Sequence, residues 1–396
     1  MNNSLRQSGL DGLRGLAALL VFCVHLWIYQ LPNTVDLQRD SLGELVLFEA
    51  RVSFVMFFVL SGYLLYRPFA RAALGASRPV SIAAYFVRRA ARIMPAYYVA
   101  LAATLALLAT AGDVPGRRSV DPGDLPLFAI FAQNYSPDTL LKLNAATWTL
   151  AVEVAFYLML PVVGLMALHR RGQGARVQIW LLSSLIAAGI IWNVIDYAAG
   201  WGPVASHAAP SFLPYFACGM LVAVLVEQRR ASGSAGLGRG ATIMLVGAAL
   251  VFLFLNGFWH ASDRSPGGFL MEAFADTGAA VAFALAIAAI VIGTGTGLRW
   301  LGRQPFAWFG QISYGFYLWH IPLIVWARGH GLLSGGVLLD IAVVFPAAVS
   351  LGALSWYGLE RPLMRRAAGM KRTADERRRA AQRARPVEAP GLSGIT

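Results

Sequence analysis

The sequence predicts an all-α polytopic membrane protein, a bundle of about ten transmembrane helices. Of the 396 residues, 57% are hydrophobic and only 13% are charged, whereas soluble domains carry roughly 25% charged residues. The apolar residues fall into ten runs, each near the length of about 20 residues that a helix needs to cross a bilayer. The runs cover residues 12–30, 46–66, 93–111, 148–168, 177–199, 209–226, 242–259, 271–292, 305–326 and 336–359.

Basic residues predict the orientation of these helices. With the N-terminus in the cytoplasm, 26 of the 33 lysines and arginines fall on the cytoplasmic side, which is the bias typical of inner loops. Both termini are therefore expected to be cytoplasmic. The net charge of +13 follows from this asymmetry and does not indicate nucleic-acid binding.

Two segments lie outside the spans. We expect residues 1–365 to form the transmembrane domain and residues 366–396 to form a basic, flexible cytoplasmic tail that contacts anionic lipids. Residues 125–135 are apolar but too short to cross, so this segment is either re-entrant or interfacial.

The sequence offers no metal site. The two cysteines, Cys23 and Cys218, both lie inside apolar runs, which argues against a disulfide framework and against a cysteine-based zinc site. Three histidines in predicted outer loops have no ligand spacing, and we assign them no role; they are His207, His260 and His330.

The first run contains an arginine and a histidine on one predicted helix face. Arg14 and His25 are eleven residues apart, and at 100° per residue they project within roughly 20° of each other. His25 then lies roughly 16 Å along the helix from Arg14, near the bilayer centre. Ionisable groups at that depth are costly and usually functional. The alternative is a histidine that is simply hydrogen-bonded inside the bundle, and the spacing alone does not separate the two.

A second candidate site lies where the third helix begins. Arg89 and Arg92 are spaced i, i+3, so on a helix they project together and could clamp a diphosphate. The alternative is ordinary anchoring by positive residues on the inner side, which is the commoner role in a membrane protein.

Polar residues inside other spans complete the candidate site. Glu153 must be paired, hydrated or protonated at its depth, and His25 is a candidate partner. The candidate substrate contacts are weaker, because a serine often bonds its own helix backbone and a histidine often lies beside an aromatic belt. These contacts are Ser61, Trp148, Tyr317 and His320.

Six motifs taken in order resemble the membrane acyltransferase family 3. They are Arg14-x10-His25, the FFVLSGY segment 57–63, Arg89-x-x-Arg92, the stretch 148–157, the stretch 313–320 and Glu360-Arg361-Pro362. The resemblance covers residues 8–365. This family includes bacterial O-acyltransferases that modify polysaccharides, peptidoglycan, Nod factors and macrolides.

The resemblance implies transfer of an acyl group, usually acetyl from acetyl-CoA, to a hydroxyl of a glycan or macrolide-type acceptor. It also implies a multi-pass protein of the bacterial inner (cytoplasmic) membrane in which the Arg14/His25 pair and the Arg89/Arg92 pair are essential. Some members continue into an extracytoplasmic SGNH hydrolase-like domain. Because a basic tail follows here, we expect no second transfer step. The sequence leaves open whether the chain forms a homo-oligomer.

The candidate residues suit this chemistry. A neutral His25 can take the proton of the attacking hydroxyl, and a carboxylate such as Glu153 would orient it. Arg89 and Arg92 would bind the anionic end of acyl-CoA, and Arg14 would steer its pantetheine arm. No metal is required.

Two other classes compete with an enzyme. A secondary transporter or flippase for a small solute commonly shows internal repeats and broken helices, which the sequence does not display. A lipid-surface scaffold acting through the basic tail would leave Arg14, His25 and Glu153 unexplained.

Overall fold

The computed structural model describes residues 3–31, 41–114, 117–170, 174–234, 236–262, 268–293, 297–333 and 336–369. These residues form helices joined by turns. They contain no β-strand, and the single isolated β-bridge among them joins Leu237 to Gly293. The all-α prediction is therefore confirmed. The predicted tail lies outside the described residues from position 370 onward.

Thirteen α-helices make up the described part of the chain. They are α1 (Asn3–Ile28), α2 (Leu42–Ala50), α3 (Ser53–Ala73), α4 (Ile82–Thr110), α5 (Leu125–Ala129), α6 (Trp148–His169), α7 (Gly174–Ala199), α8 (Pro203–Ser206), α9 (Leu213–Ala231), α10 (Gly238–Ser262), α11 (Gly268–Ile292), α12 (Phe306–Gly329) and α13 (Val337–Ser355).

Seven segments of the described residues are helical, long and apolar enough to cross a membrane. They are Ser8–Ile28, Leu42–Ala73, Ile82–Thr110, Ala145–His169, Gly174–Ala199, Ala209–Ala231 and Val337–Gly369. Helices α10, α11 and α12 coincide with three further predicted runs. The total of about ten spans and the cytoplasmic position of the termini stay predictions.

The apolar segment 125–135 forms no spanning helix. It contains α5, which is only five residues long, and a short 3-10 helix. The hydroxyls of Tyr97 and Tyr98 donate hydrogen bonds to the carbonyls of Phe128 and Ala129. These bonds hold the segment against the side of α4.

Glycines allow α1 and α12 to pack with their backbones in close contact. A Cβ atom at Gly310 would overlap the carbonyl of Asp11, and one at Gly15 would lie 2.9 Å from the amide nitrogen of Gly310. Small residues permit this approach between membrane helices. The contact brings one face of α1 directly against α12, and His25 and His320 lie further along this face.

Arginines collect at one end of the bundle, which we call the arginine end. Phe69 near the end of α3 packs on Tyr85 near the start of α4, so these two termini lie together. Buried Glu227 of α9 joins the same end, because it accepts hydrogen bonds from Arg67 and Arg230 at 2.6 Å each. The starts of α3 and α9 consequently lie at the opposite end. The start of α6 and the end of α7 join them there, through the Phe54–Trp148 ring contact and the hydrogen bond from Asn193 to Ser211.

Candidate active site

A cavity of about 270 Å³ opens between α1, α3, α4, α6 and α12, and we call it the arginine cavity. Its polar lining includes the guanidiniums of Arg14, Arg89 and Arg92 and the carboxylate of Glu153. Ser81 caps the start of α4 by accepting a hydrogen bond from the amide of Ala84, so the cap fixes where on α4 the two arginines fall. The structure thus brings residues from three distant segments into one site.

The arginines of this cavity differ in their ion pairing. Arg14 contacts the carboxylate of Asp11 at 3.3 Å. Arg89 and Arg92 form no ion pair with any described residue, and Arg89 lies 6.0 Å from the centre of the Tyr157 ring. Two guanidiniums therefore face the cavity without a direct ion pair to a described residue, which leaves their hydrogen-bond donors open to an anionic ligand.

Glu153 lies in the arginine cavity rather than beside His25. Its carboxylate accepts a hydrogen bond from the hydroxyl of Ser61. The predicted pairing of Glu153 with His25 is therefore wrong for this structure. The error came from matching two ionisable groups by depth alone, because depth does not specify which helix faces which.

His25 is hydrogen-bonded to a second histidine. Its Nδ1 lies 2.8 Å from Nε2 of His320, and the two rings stack with their centres 5.0 Å apart. His320 is completely buried, and its Nδ1 lies 2.7 Å from the carbonyl oxygen of Tyr317. A direct substrate contact by His320, as the sequence suggested, does not fit a side chain that lies enclosed behind His25.

The carbonyl of Tyr317 fixes the tautomers of the neutral pair. A carbonyl oxygen can only accept, so Nδ1 of His320 must carry the hydrogen. Its Nε2 is then an acceptor, and Nδ1 of His25 must donate to it. This leaves Nε2 of His25 without a hydrogen, as a base. The assignment follows from the hydrogen-bond partners of the two rings.

His25 lines a separate cavity of about 170 Å³, which we call the histidine cavity. It shares two residues, Thr149 and Tyr317, with the arginine cavity. The hydroxyl oxygens of these residues lie 2.8 Å apart, and the Tyr317 hydroxyl also donates to the carbonyl of Ala146. A hydrogen-bonded hydroxyl pair therefore forms the partition between the guanidiniums and the base.

A third cavity of about 570 Å³ lies at the end opposite the arginines, and we call it the vestibule. Trp148 lines both the vestibule and the histidine cavity. His207, to which the sequence assigned no role, also lines the vestibule, with its ring centre 5.0 Å from that of Trp148. Burial lowers the pKa of His207, so its imidazole is neutral near pH 7. Its only sequence signal was its position between two apolar runs.

The described residues contain no group of three or more histidine, cysteine, aspartate or glutamate side chains placed to hold a metal ion.

Curated relatives match most of the chain. The acyltransferase MdmB of Streptomyces mycarofaciens is 28% identical over 344 residues, which are 84% of this chain and 82% of MdmB. The O-acetyltransferase OatA of Staphylococcus aureus is 24% identical over 404 residues, covering 96% of this chain and 60% of OatA. YrhL of Bacillus subtilis is 26% identical over 379 residues, covering 90% of this chain.

The chain spans 54% of YrhL and 60% of OatA, so these relatives are considerably longer. No solved structure matches the chain. The family model described as "Acyltransferase domain" matches residues 7–357, which include every candidate site residue named above. The chain therefore belongs to the membrane acyltransferase family 3.

Proposed function

We propose that the chain is an integral membrane O-acyltransferase. It moves an acetyl group from acetyl-CoA at the cytoplasmic side to a hydroxyl of a glycan or glycoside, with His25 as the general base. The observation that carries this proposal is the hydrogen-bond chain from His25 through His320 to the Tyr317 carbonyl. It leaves Nε2 of His25 as a proton acceptor in a residue that lines a cavity.

The arginine cavity suits the donor. Acetyl-CoA is anionic at its nucleotide end, and charge-assisted hydrogen bonds to phosphate are strong, so Arg89 and Arg92 fit its phosphates. The cavity volume of about 270 Å³ is below the roughly 300–1,000 Å³ of sites that enclose whole small molecules. We therefore expect it to take the thioester arm, with the nucleotide outside the bundle at the arginine end.

The proposed reaction is a single acyl transfer in which His25 passes the proton of the acceptor hydroxyl to the sulfur of CoA. The acceptor hydroxyl gives its proton to Nε2 of His25 as its oxygen forms a bond to the acetyl carbon. The carbon–sulfur bond breaks, and the thiolate of CoA takes the proton from the His25 imidazolium and leaves as the thiol. The hydrogen bond from Nδ1 to His320 holds the His25 ring in orientation throughout, the part that a carboxylate plays in a serine hydrolase triad.

The test is transfer by His25→Gln in the purified full-length chain. An amide keeps hydrogen bonds but cannot take up the proton, so we expect acetyl transfer to fall roughly 10²–10⁴-fold, the range of a removed general base. Affinity for CoA, measured by calorimetry, should stay within about twofold. His330→Gln is the matched control, because His330 is exposed at the end of α12.

An active and stable His25→Gln variant would contradict the role of His25. A purified wild-type protein that releases no CoA thiol from acetyl-CoA, with any acceptor, would contradict acyl transfer itself. That second result is the one expected of a transporter or flippase.

A further inference from the structure

The vestibule contains a buried carboxylate with an unused acceptor. Asp196, near the end of α7, is only 8% exposed, and its Oδ1 has no hydrogen-bond partner among the described residues. Buried polar atoms are almost always paired, because an unmade hydrogen bond costs about 1–3 kcal/mol. Asp196 lines the vestibule, so a ligand bound there would lie beside this carboxylate.

The wall around Asp196 is held by hydrogen bonds to the loop that follows α7. The indole of Trp192 donates to the carbonyl of Ala205, and the amide of Asn193 donates to the carbonyl of Ser211. The Ser211 hydroxyl also donates to Ala205. Because these bonds tie the end of α7 to the connection between α7 and α9, the side chains that line this wall have a fixed place.

The vestibule adjoins the proposed base. It shares four residues with the histidine cavity, which are Arg51, Phe54, Trp148 and Asp276. A molecule that fills the vestibule therefore reaches the wall of the cavity that His25 lines. The arginine cavity lies on the other side of the Thr149–Tyr317 partition. The acyl donor and the acceptor would therefore approach His25 from opposite ends.

The lining combines aromatic faces with hydrogen-bond acceptors. Its aromatic members include Trp148, Tyr197 and Tyr215. Its polar and charged members are Arg51, Asn193, Asp196, Ser206, His207, Ser211 and Asp276. Aromatic faces pack against the C–H face of a sugar ring, while carboxylate and amide oxygens accept hydrogen bonds from its hydroxyls. A macrolactone without sugars presents mainly apolar surface and few donors. The lining therefore favours a carbohydrate.

We propose that the vestibule is the acceptor subsite and that it binds a neutral pyranose ring, with one ring hydroxyl donating to the carboxylate of Asp196 and the ring packed on Trp148. This inference rests on the proposed function, and it adds the place and the recognition chemistry of the acceptor. The hydroxyl to be acetylated then points through the shared wall toward Nε2 of His25.

The experiment measures acetylation of four soluble probes by the purified full-length chain with acetyl-CoA. The probes are methyl α-glucopyranoside, methyl α-galactopyranoside, methyl α-rhamnopyranoside and N-acetylglucosamine, with mass spectrometry as the readout. For the best probe, we expect Asp196→Asn to raise the KM about tenfold, because the amide oxygen accepts more weakly than a carboxylate. The kcat and the KM for acetyl-CoA should stay within about twofold.

Asp138→Asn is the matched control, since Asp138 is exposed in the long connection before α6. If Asp196→Asn does not fold, Trp148→Phe serves instead, with an expected KM increase of about threefold from the smaller stacking surface. A pyranoside KM that neither variant changes would overturn the proposal.

Two further outcomes separate this inference from the proposed function. Acetylation of a sugar-free macrolactone together with none of the four pyranosides would overturn the carbohydrate subsite and leave the acyltransferase standing. Absence of CoA thiol release with every acceptor would overturn both.

Discussion

Two arginine clusters lie at the same end of the bundle and differ in their counter-charges. In the first, the carboxylate of Glu227, only 3% exposed, contacts three guanidiniums at 2.6–3.4 Å. In the second, Arg89 and Arg92 face the arginine cavity without an ion pair to any described residue. We call the arginines around Glu227 the closed cluster and the pair Arg89 and Arg92 the open cluster. Arginine at an inner membrane boundary is expected from topology alone, so composition does not tell the two clusters apart.

This difference in counter-charge distinguishes arginines that stabilise the fold from arginines that are open to a ligand. A cluster closed by a buried carboxylate has its charge compensated within the fold and links α3 to α9. A cluster that opens on a cavity has charge left for a ligand. We therefore expect substitutions in the first cluster to change stability and substitutions in the second to change donor affinity.

The largest effect is expected from the open cluster. Arg89→Ala and Arg92→Ala should each weaken CoA binding by tens-fold, because a hydrogen bond to a charged group contributes about 1.5–3 kcal/mol. Arg→Lys at either position should rescue affinity only in part, since an ammonium cannot form the bidentate pair. Calorimetry with CoA on folded variants measures this.

Arg88→Ala is the matched control for that prediction, because Arg88 lies on the same helix and does not line the cavity. If all three variants lose CoA affinity equally, the arginines act only through the positive charge of this end of the bundle. If Arg89→Ala and Arg92→Ala leave CoA affinity unchanged, these arginines only anchor the helix in the membrane.

The closed cluster should show the reverse pattern. Glu227→Gln leaves three guanidiniums without their shared carboxylate. These side chains are 31–45% exposed, and solvent screens them, so we expect a loss of about 1–2 kcal/mol in the free energy of unfolding. Thermal or denaturant unfolding gives this value. CoA affinity should not change, and a loss of affinity at full stability would contradict the division of roles.

The smallest effect concerns the carboxylate inside the open cluster. Glu153→Gln removes a negative charge from the cavity that receives the anionic donor, so we expect CoA to bind about fivefold more tightly, since two charges about 4 Å apart interact by about 1 kcal/mol even in water. Calorimetry with wild type in parallel measures the change. Weaker binding would instead mean that Glu153 holds the arginines in position.

Local patterns predicted the parts of the site that lie within one helix. The i, i+3 spacing of Arg89 and Arg92 was enough to foresee that they share a face, and hydropathy located the helices themselves. The partner of His25 was not predictable in this way. His320 lies 295 residues away in sequence, and its contact depends on the glycine-mediated packing of α1 on α12, which no single segment encodes.

The vestibule was missed for a related reason. Asp196 is an acidic residue near the end of a helix, and His207 lies in a short connection. Taken alone, each looks like an ordinary polar residue on the protein surface. Only the folding of α7 and its following loop against Trp148 brings them to one cavity. Sequence patterns find charges on one element more readily than sites assembled from several.

The histidine pair also determines how far a proton taken up by His25 can travel. A proton that enters at His25 can shift along the hydrogen bond to His320, but the next group is the carbonyl of Tyr317, which cannot be protonated in turn. The hydrogen-bond chain therefore ends at Tyr317, and the proton must return to the histidine cavity. The pair can therefore take up and release a proton repeatedly at Nε2 of His25 without passing it beyond Tyr317.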